Sequence, residues 1–365
     1  MKLQDKIYLG LGLIFILYAL ATFISKSTPV ANQTNTPTEQ PVKIIAVGDI
    51  NLGRQTGQKI LAGEIDYPFA NISDYLKSAD ITFGNLESQL ADLDGETQSP
   101  TNEYRFAGPP AGADSLANAG FDIVSLANNH MWDYGKDRLF ETMDNLDRTQ
   151  VKYVGASRTT ENLYQPVIME VKGQKIAWFA VTAILNGYEK VGAKDYVAWA
   201  DDERLIEAIK QVKTPPTPPL DKGRMGGVDW IIVSMHRGVE YAETPSKPQM
   251  EFAHKVIDAG ANIVIGHHPH VPEGIESYNN GIIFYSLGNF AFWQPFDYWT
   301  QHSFAIELDL NPDGTFTHTI IPINAGWQPE LSDEADQAKI KEYLVKLSDT
   351  PPILPLSRGG VGGVN

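Results

Sequence analysis

Seven apolar runs, rich in β-branched residues and each closing on a polar or glycine-containing loop, constrain this chain more than any other feature. The first three are VKIIAVGD (Val42 to Asp49), ITFGNLE (Ile81 to Glu87) and FDIVSLANNH (Phe121 to His130). KIAWFAVT (Lys175 to Thr182), DWIIVSMH (Asp229 to His236), ANIVIGHHPH (Ala261 to His270) and GIIFYSLGNF (Gly281 to Phe290) continue the series. Continuous apolar runs bounded by turn residues read as buried strands. Helical periodicity lies between many of them, over Lys136 to Gln150, Asp201 to Lys213 and Lys247 to Ala259, so the expected architecture is α/β with helices covering strands. Ser303 to Leu310, SFAIELDL, alternates like a half-exposed strand.

The ends of the chain read differently. Tyr8 to Ile24 is seventeen residues without a charge, flanked by Lys2, Lys6 and Lys26, and Ser25 to Pro41 is a Pro/Thr/Asn-rich linker with no core to join. A run of that length just spans a bilayer, whereas a cleaved signal, for which Ala19 and Ala21 offer small residues, has a shorter apolar run. The expectation is a single-pass cell-membrane anchor over 8–24, with 1–7 cytoplasmic, a disordered linker over 25–41 and a folded domain over 42–325 on the extracytoplasmic side. A C-terminal helix and a flexible tail fill 326–365. TPPTPPLDKGRMGGV (Thr214 to Val228) returns as TPPILPLSRGGVGGV (Thr350 to Val364), identical at nine of fifteen positions. Sequence this dense in Pro and Gly builds no core, so 214–227 reads as a neutral insertion. A formal charge of −16 and the lack of any basic stripe exclude nucleic acid as a partner. With no cysteine, thiolate metal sites, disulfides and cysteine nucleophiles are excluded as well.

Chemistry-bearing residues crowd at the carboxyl ends of the expected strands. Asp49 ends the first; Asn85 and Glu87 the second; Asn128, Asn129 and His130 the third; His236 another; and His267, His268 and His270 follow NIVIG. Taken singly, each is more often a turn, cap or structural residue than a ligand. At the carboxyl edge of parallel strands, however, loops converge on one place, and three histidines in four residues are an unusual concentration. Carboxylate oxygen and imidazole nitrogen without sulfur suit a divalent ion of the Mn, Fe or Zn class.

The same blocks, in order, resemble the CapA family of poly-γ-glutamate capsule-synthesis proteins. The resemblance rests on GDINLGR (Gly48 to Arg54), FGNLES (Phe83 to Ser88), YRFAGPP (Tyr104 to Pro110) and AGFDIVSLANNHMWDYG (Ala119 to Gly135). HRGVEY (His236 to Tyr241), DAGANIVIGHHPHV (Asp258 to Val271) and YSLGNFAF (Tyr285 to Phe292) complete it. It implies a branch of the calcineurin-like metallophosphoesterases and hence a four-layer α/β/β/α sandwich. It also implies metal ligands at Asp49, Glu87, Asn129, His236, His268 and His270, with Asn51, Asn85 and His267 as alternative positions. His130 and Asn129 are the implied catalytic groups, and Arg237, a departure from the family, adds a cation beside the site that either holds an anionic substrate or is a solvated surface residue. Two departures stand out: Asn51 replaces the second ligand of an Asp-x-His pair, and Asn85 replaces a bridging aspartate, leaving Glu87 as the nearby carboxylate. One ion or two are both compatible with that pattern. Arg237 stands where the family usually has Trp.

Three functions follow from the resemblance. The first is a metal-dependent hydrolase acting on an anionic polymer or phosphoester, with His130 as general acid. The second is a non-catalytic accessory of a membrane polymer synthase complex, in which the metal bridges polymer carboxylates to an acidic surface. The third is a phosphatase for a sugar- or lipid-linked substrate.

Overall fold

The computed structural model describes residues 40–200, 203–213 and 227–348. The expected membrane segment, nearly all of its linker, the Pro/Gly-rich insertion over 214–226 and the tail from 349 lie outside the described residues. Among the described residues no helix is long and apolar enough to cross a membrane.

The chain runs through β1 (Val42–Ile50), α1 (Arg54–Leu61), α2 (Ser73–Leu76), β2 (Ile81–Leu86), β3 (Gln89–Leu90) and β4 (Ala107–Gly108). It continues with α3 (Gly112–Ala119), β5 (Ile123–Ser125), α4 (Gly135–Thr149), β6 (Lys152–Val154), β7 (Val167–Val171), β8 (Gln174–Thr182) and α5 (Glu203–Lys213). Then come β9 (Trp230–His236), α6 (Lys247–Ala259), β10 (Ile263–His267), β11 (Ile275–Tyr278) and β12 (Gly281–Phe284). The last elements are β13 (His302–Leu310), β14 (Phe316–Asn324), β15 (Glu330–Leu331) and α7 (Glu334–Ser348). Two mixed sheets result, of order β15-β14-β13-β1-β2-β5-β6 and β11-β12-β10-β9-β8-β7, with β3 and β4 forming a small ladder apart. Strands β1, β2, β5 and β6 are parallel in the first sheet, and β8, β9, β10 and β12 in the second.

Period-two alternation explains how the sheets stack. Along β8, Ile176, Trp178 and Ala180 face one core while Ala177, Phe179 and Val181 face another. Trp230 and Ile232 against Ile231 and Val233 repeat the division on β9, as Ile263 and Ile265 against Val264 do on β10. The second sheet is therefore buried on both faces, which is why these runs carry no polar alternation. Its inner face meets the first sheet, Trp178 stacking on Phe83 of β2 with ring centroids 5.1 Å apart. Its outer face is covered by α5 and α6 through Leu205, Ile209, Phe252 and Val256. On the far side of the first sheet, α3 and α4 bury Leu116, Leu139, Met143 and Leu146, which completes helix, sheet, sheet and helix layers. Helix α7 packs on β13 and β14 of one sheet and β11 of the other, placing Ile340 and Leu344 in the central core.

Two expectations need correction. The run FDIVSLANNH is a strand only over Ile123–Ser125, because β6, its partner, is equally short and ends at Val154, whose carbonyl takes the Leu126 N–H as the last bond before the chain turns off toward Asn128. Strand β13 is buried at most positions rather than half-exposed, since it lies between β1 and β14 and beneath α7.

The Trp178–Phe83 contact makes the layer order testable. Trp178→Ala should lower unfolding stability by ~3–5 kcal/mol in urea denaturation, the usual loss for emptying a large aromatic site. A loss below ~1 kcal/mol would show that the inner faces are not packed as described.

A second buried feature gives a pH-dependent stability. Glu273 is buried with Oε2 accepting a 2.6 Å hydrogen bond from Gln249 Nε2, the residue that completes the capping box of α6, while Oε1 has no partner. Burial pushes its carboxyl up to about 8, partly offset by Gln249. Because the folded carboxyl holds a proton that the unfolded one has released, stability falls as pH rises from the ordinary carboxylate range to about 8. Glu273→Gln, which mimics the protonated acid, should therefore raise Tm relative to wild type by an increment that grows between pH 5 and pH 9. A Tm difference independent of pH would refute the assignment.

Candidate metal site

Both sets of parallel strands end at the same place. Asp49 and Asn85 are register partners on β1 and β2, as are His236 and His267 on β9 and β10. The segment after β12 crosses to the first sheet: Asp49 N–H donates to the Gly288 carbonyl at 3.1 Å, and Phe290 N–H donates to the Asp49 carbonyl at 2.9 Å. Gly48 is required here, because a Cβ at that position would lie 1.9 Å from the Gly288 oxygen. Gly266 meets the same limit against the Tyr285 carbonyl, also at 1.9 Å. These contacts clip the two carboxyl edges together and bring Asp49, Glu87, Asn129, His236, His268 and His270 into one buried cluster.

Backbone groups fix the orientations within it. Asn128 Nδ2 donates to the Leu86 carbonyl at 2.8 Å, and Asn128 Oδ1 accepts from His130 N–H at 3.2 Å, so its amide can face only one way. Asn128 Nδ2 then also donates to Asn85 Oδ1 at 3.1 Å, which turns the Asn85 amino group toward the carboxylates. That group lies 2.8 Å from Asp49 Oδ1 and 3.3 Å from Glu87 Oε2. Asn85 is thus a donor that ties two acids together, and the carboxylate common to the site is Glu87.

Asn289 sets the tautomer of His270 by the same logic. Its Nδ2 donates to the Thr300 carbonyl at 2.9 Å, so Oδ1 faces His270 Nδ1 at 3.0 Å and Nδ1 carries the proton. The lone pair of His270 Nε2 then faces Glu87 Oε1 across 3.8 Å, and His236 Nε2 lies 3.7 Å from the same oxygen. Glu87 Oε1 and His268 Nδ1 are buried without hydrogen-bond partners. The His270 Nε2 lone pair facing Glu87 Oε1, with His268 Nδ1 also unpartnered, leaves a buried gap that fits a cation. Two donor triads satisfy that demand, Asp49–Glu87–His270 and Glu87–His236–His268, in each of which one atom per residue lies within 4.8 Å of the others. Asn129 Oδ1, 2.9 Å from His236 Nε2, adds an oxygen beside the second.

Electrostatics agree. Burial pushes Glu87 well above the usual carboxylate range, and the Asp49 charge adds to the effect. Burial acts the same way on Asp49, but His267 Nδ1 and His270 Nδ1, each 3.2 Å from its oxygens, outweigh it and hold that carboxyl well below its usual value. Burial, with His268 adding, drives His236 well below the ordinary imidazole range, and burial with His270 adding brings His268 down to about 3. Both imidazoles are therefore neutral, as ligands must be.

The remaining expected residues divide. His267 lies against the Phe83 ring and outside both triads, whereas His268 and His270 each belong to one. Both have left-handed backbones, φ 101° and 62°, which is how two histidines flanking Pro269 turn toward the same site. Asn51 makes a turn, its Oδ1 accepting from Gly53 N–H at 2.8 Å. Arg237 is a correction: His236 points into the sandwich, so the next side chain points out, and the guanidinium lies 5.5 Å over Phe252 of α6. His130 pairs through Nδ1 with Asp133 Oδ2 at 2.9 Å and stacks on Phe106, centroids 4.2 Å apart. Sequence reading missed Asp133 and Asn289 as orienting residues. The signal for Asp133 was the carboxylate three residues after His130 in NHMWD; that for Asn289 was the Asn of SLGNF.

An α/β sandwich carrying a buried carboxylate–histidine cluster of metal-site geometry is the class of protein this defines. The chain belongs to the family described as bacterial capsule synthesis protein PGA_cap, which matches residues 43–294. It is 30% identical over 340 residues to the capsule biosynthesis protein CapA of Bacillus anthracis, covering 92% of this chain and 80% of that one. Identity to the PGA biosynthesis protein CapA of Bacillus subtilis (strain 168) is 27% over 352 residues, 95% of this chain and 89% of the relative. A crystal structure of a hypothetical protein from Thermus thermophilus aligns over 77% of this chain and 99% of its own at 15% identity, TM-score 0.44.

Because Glu87 belongs to both triads, Glu87→Gln should lower bound divalent metal far more than Asn51→Ala, measured by elemental analysis after dialysis. Equal metal content in wild type and Glu87→Gln would refute Glu87 as the shared ligand.

Proposed function

We propose that the domain is a metal-dependent hydrolase that cleaves an acyl or phosphoryl bond in an anionic capsule polymer of poly-γ-glutamate type or in its precursor. The observation that carries this reading is a buried carboxylate shared by two donor triads, with a histidine held by an aspartate within electrostatic reach of His268. Asp49, Glu87 and His270 would hold one divalent ion of the Mn, Fe or Zn class, and Glu87, His236 and His268 a second, with Asn129 Oδ1 beside it. An ion held there polarises a phosphoryl or acyl oxygen and lowers the pKa of water.

The other roles belong to the chain. His130, fixed through Nδ1 by Asp133, keeps Nε2 to give a proton to the leaving group. Asp133 is itself anchored by Phe106 N–H at 3.2 Å, and its backbone carbonyl accepts from Arg105 Nε at 2.8 Å, so the imidazole cannot swing away. The Phe106 ring on one face of His130 keeps water from it. The names of the Bacillus relatives, for capsule and PGA biosynthesis, support the polymer as substrate. The apolar run over 8–24 with its flanking lysines supports a domain tethered to the outer face of the cell membrane, working beside a polymer synthase.

His130→Ala should retain wild-type metal content and lose ~10²–10⁴ in turnover, the usual loss for a positioned general acid, whereas His236→Ala should lose metal too. Assays on phosphoesters, peptides and poly-γ-glutamate, paired with metal analysis, distinguish these outcomes. A metal-loaded domain that turns over none of them, with capsule formation intact in the His130→Ala strain, would replace the enzyme with the accessory-protein reading.

A further inference from the structure

Arg54, the first residue of α1, has a backbone φ of 51°, in the left-handed region that arginine seldom occupies. Its amide donates to the Thr97 carbonyl at 2.8 Å and its carbonyl accepts from Thr97 Oγ1 at 2.8 Å, so the surrounding loop holds it there. The guanidinium lies 4.7 Å from the centroid of Phe106 and 5.6 Å from that of Phe292. Phe106 stacks on His130, and the Phe292 ring meets His270 edge-on at 5.1 Å. One aromatic ring therefore separates Arg54 from the histidine proposed as proton donor, and another separates it from a proposed metal ligand.

The guanidinium is underused by the protein. Nη2 donates to the Glu103 carbonyl at 3.2 Å, Nε is buried with no partner, and no carboxylate among the described residues lies within ion-pair distance. In a chain of net charge −16, Glu103 and Glu87 act on this guanidinium only through space, beyond ion-pair distance. Around it the surface is aromatic. Tyr241, 42% exposed, lies 6.1 Å from His270, and Phe296, 70% exposed, lies 6.0 Å from Tyr241. Tyr104, 66% exposed, and Tyr241 are both within electrostatic reach of Arg54.

We propose that Arg54 is the specificity-determining residue of this site, binding a substrate oxyanion, carboxylate or phosphate, while Tyr104, Tyr241 and Phe296 seat the chain that carries it. This rests on the metal-site reading. A planar guanidinium between two rings presents its remaining N–H groups in the fixed fork that matches an oxyanion. The rings cover the apolar stretch between charged groups, which an acidic surface alone would repel.

Calorimetric titration of the full-length, Mn-loaded protein with inorganic phosphate and with a short oligoglutamate peptide tests this. Wild type is expected to bind at least one probe, and the one bound identifies the oxyanion. Arg54→Gln should weaken that binding about 10- to 100-fold at unchanged metal content, and Arg54→Lys, which keeps the charge but not the fork, should fall between. Equal affinity in wild type and Arg54→Gln, or no binding of either probe by wild type, would overturn the proposal. If Arg54→Gln does not fold, wild-type affinity in Arg54→Lys overturns it instead. Failure of the metal-site reading shows separately, as a wild-type protein that retains no metal; the Arg54 comparison then still decides on the metal-free protein.

Discussion

Two carboxylates buried side by side, with no lysine or arginine paired to either among the described residues, set the terms for everything around them. Desolvating an unpaired carboxylate costs several kcal/mol even after relaxation, roughly in line with the general behaviour of buried ions. The chain reduces that cost with the Asn85 amide between Asp49 and Glu87 and with the His270 ring at Asp49. It does not remove it, since Glu87 Oε1 is buried with no hydrogen-bond partner. In the absence of an ion the pair splits, Asp49 holding its charge and Glu87 driven toward the proton. A divalent cation reverses the argument, because both ionised acids are then what stabilises it. The arrangement is strained as an acid pair and satisfied as a ligand set.

That cluster exists because two sheets end in one place. Within either sheet alone, neighbouring strand ends would supply only half of the donors: Asp49, Glu87 and Asn129 from the first, His236, His268 and His270 from the second. Joining them requires backbones to approach more closely than side chains permit, which Gly48 against Gly288 and Gly266 against Tyr285 allow. It also requires His268 and His270 to hold left-handed backbones, a local strain that the large two-faced core of β8, β9 and β10 can sustain.

Most of this was legible from the residues because periodicity and strand ends carry it. The runs around Ile44, Trp178 and Ile232 had to be strands buried on both faces, and Asp49, Glu87, His236 and HHPH had to lie at their carboxyl edge. Arg237 was misread although the same rule places it: one residue beyond an inward His236, its side chain points outward to Phe252. The role of Asn85 was hidden for a different reason. Whether an asparagine presents oxygen or nitrogen depends on its neighbours, and here the Leu86 carbonyl and His130 amide decide it through Asn128. Asp133 and Asn289 were missed because an orienting partner is defined by a distance that no spacing rule encodes. The choice between His267 and His268 likewise turned on backbone geometry, φ at 101° for His268, that composition does not show.

The balance between an enzyme and an inert metal scaffold turns on groups that do not touch the triads. A structural site closes its coordination and needs nothing more. Here a buried histidine, outside both triads, is fixed at Nδ1 by a buried aspartate that is itself tied down by a backbone amide, and the ring is covered on one face by Phe106. Orienting an imidazole this closely restricts its rotamers and desolvates a carboxylate, with no return in packing that a leucine would not supply better. Under the proposed reading, such an arrangement serves a proton that has to leave or arrive along one direction. The half-buried Arg54 guanidinium, 4.7 Å from the centroid of the same Phe106 ring, is likewise without an ion pair among the described residues. A histidine fixed by an aspartate and a guanidinium without an ion pair among the described residues both lie outside the donor triads, and metal bridging of a polymer to the membrane would call on neither.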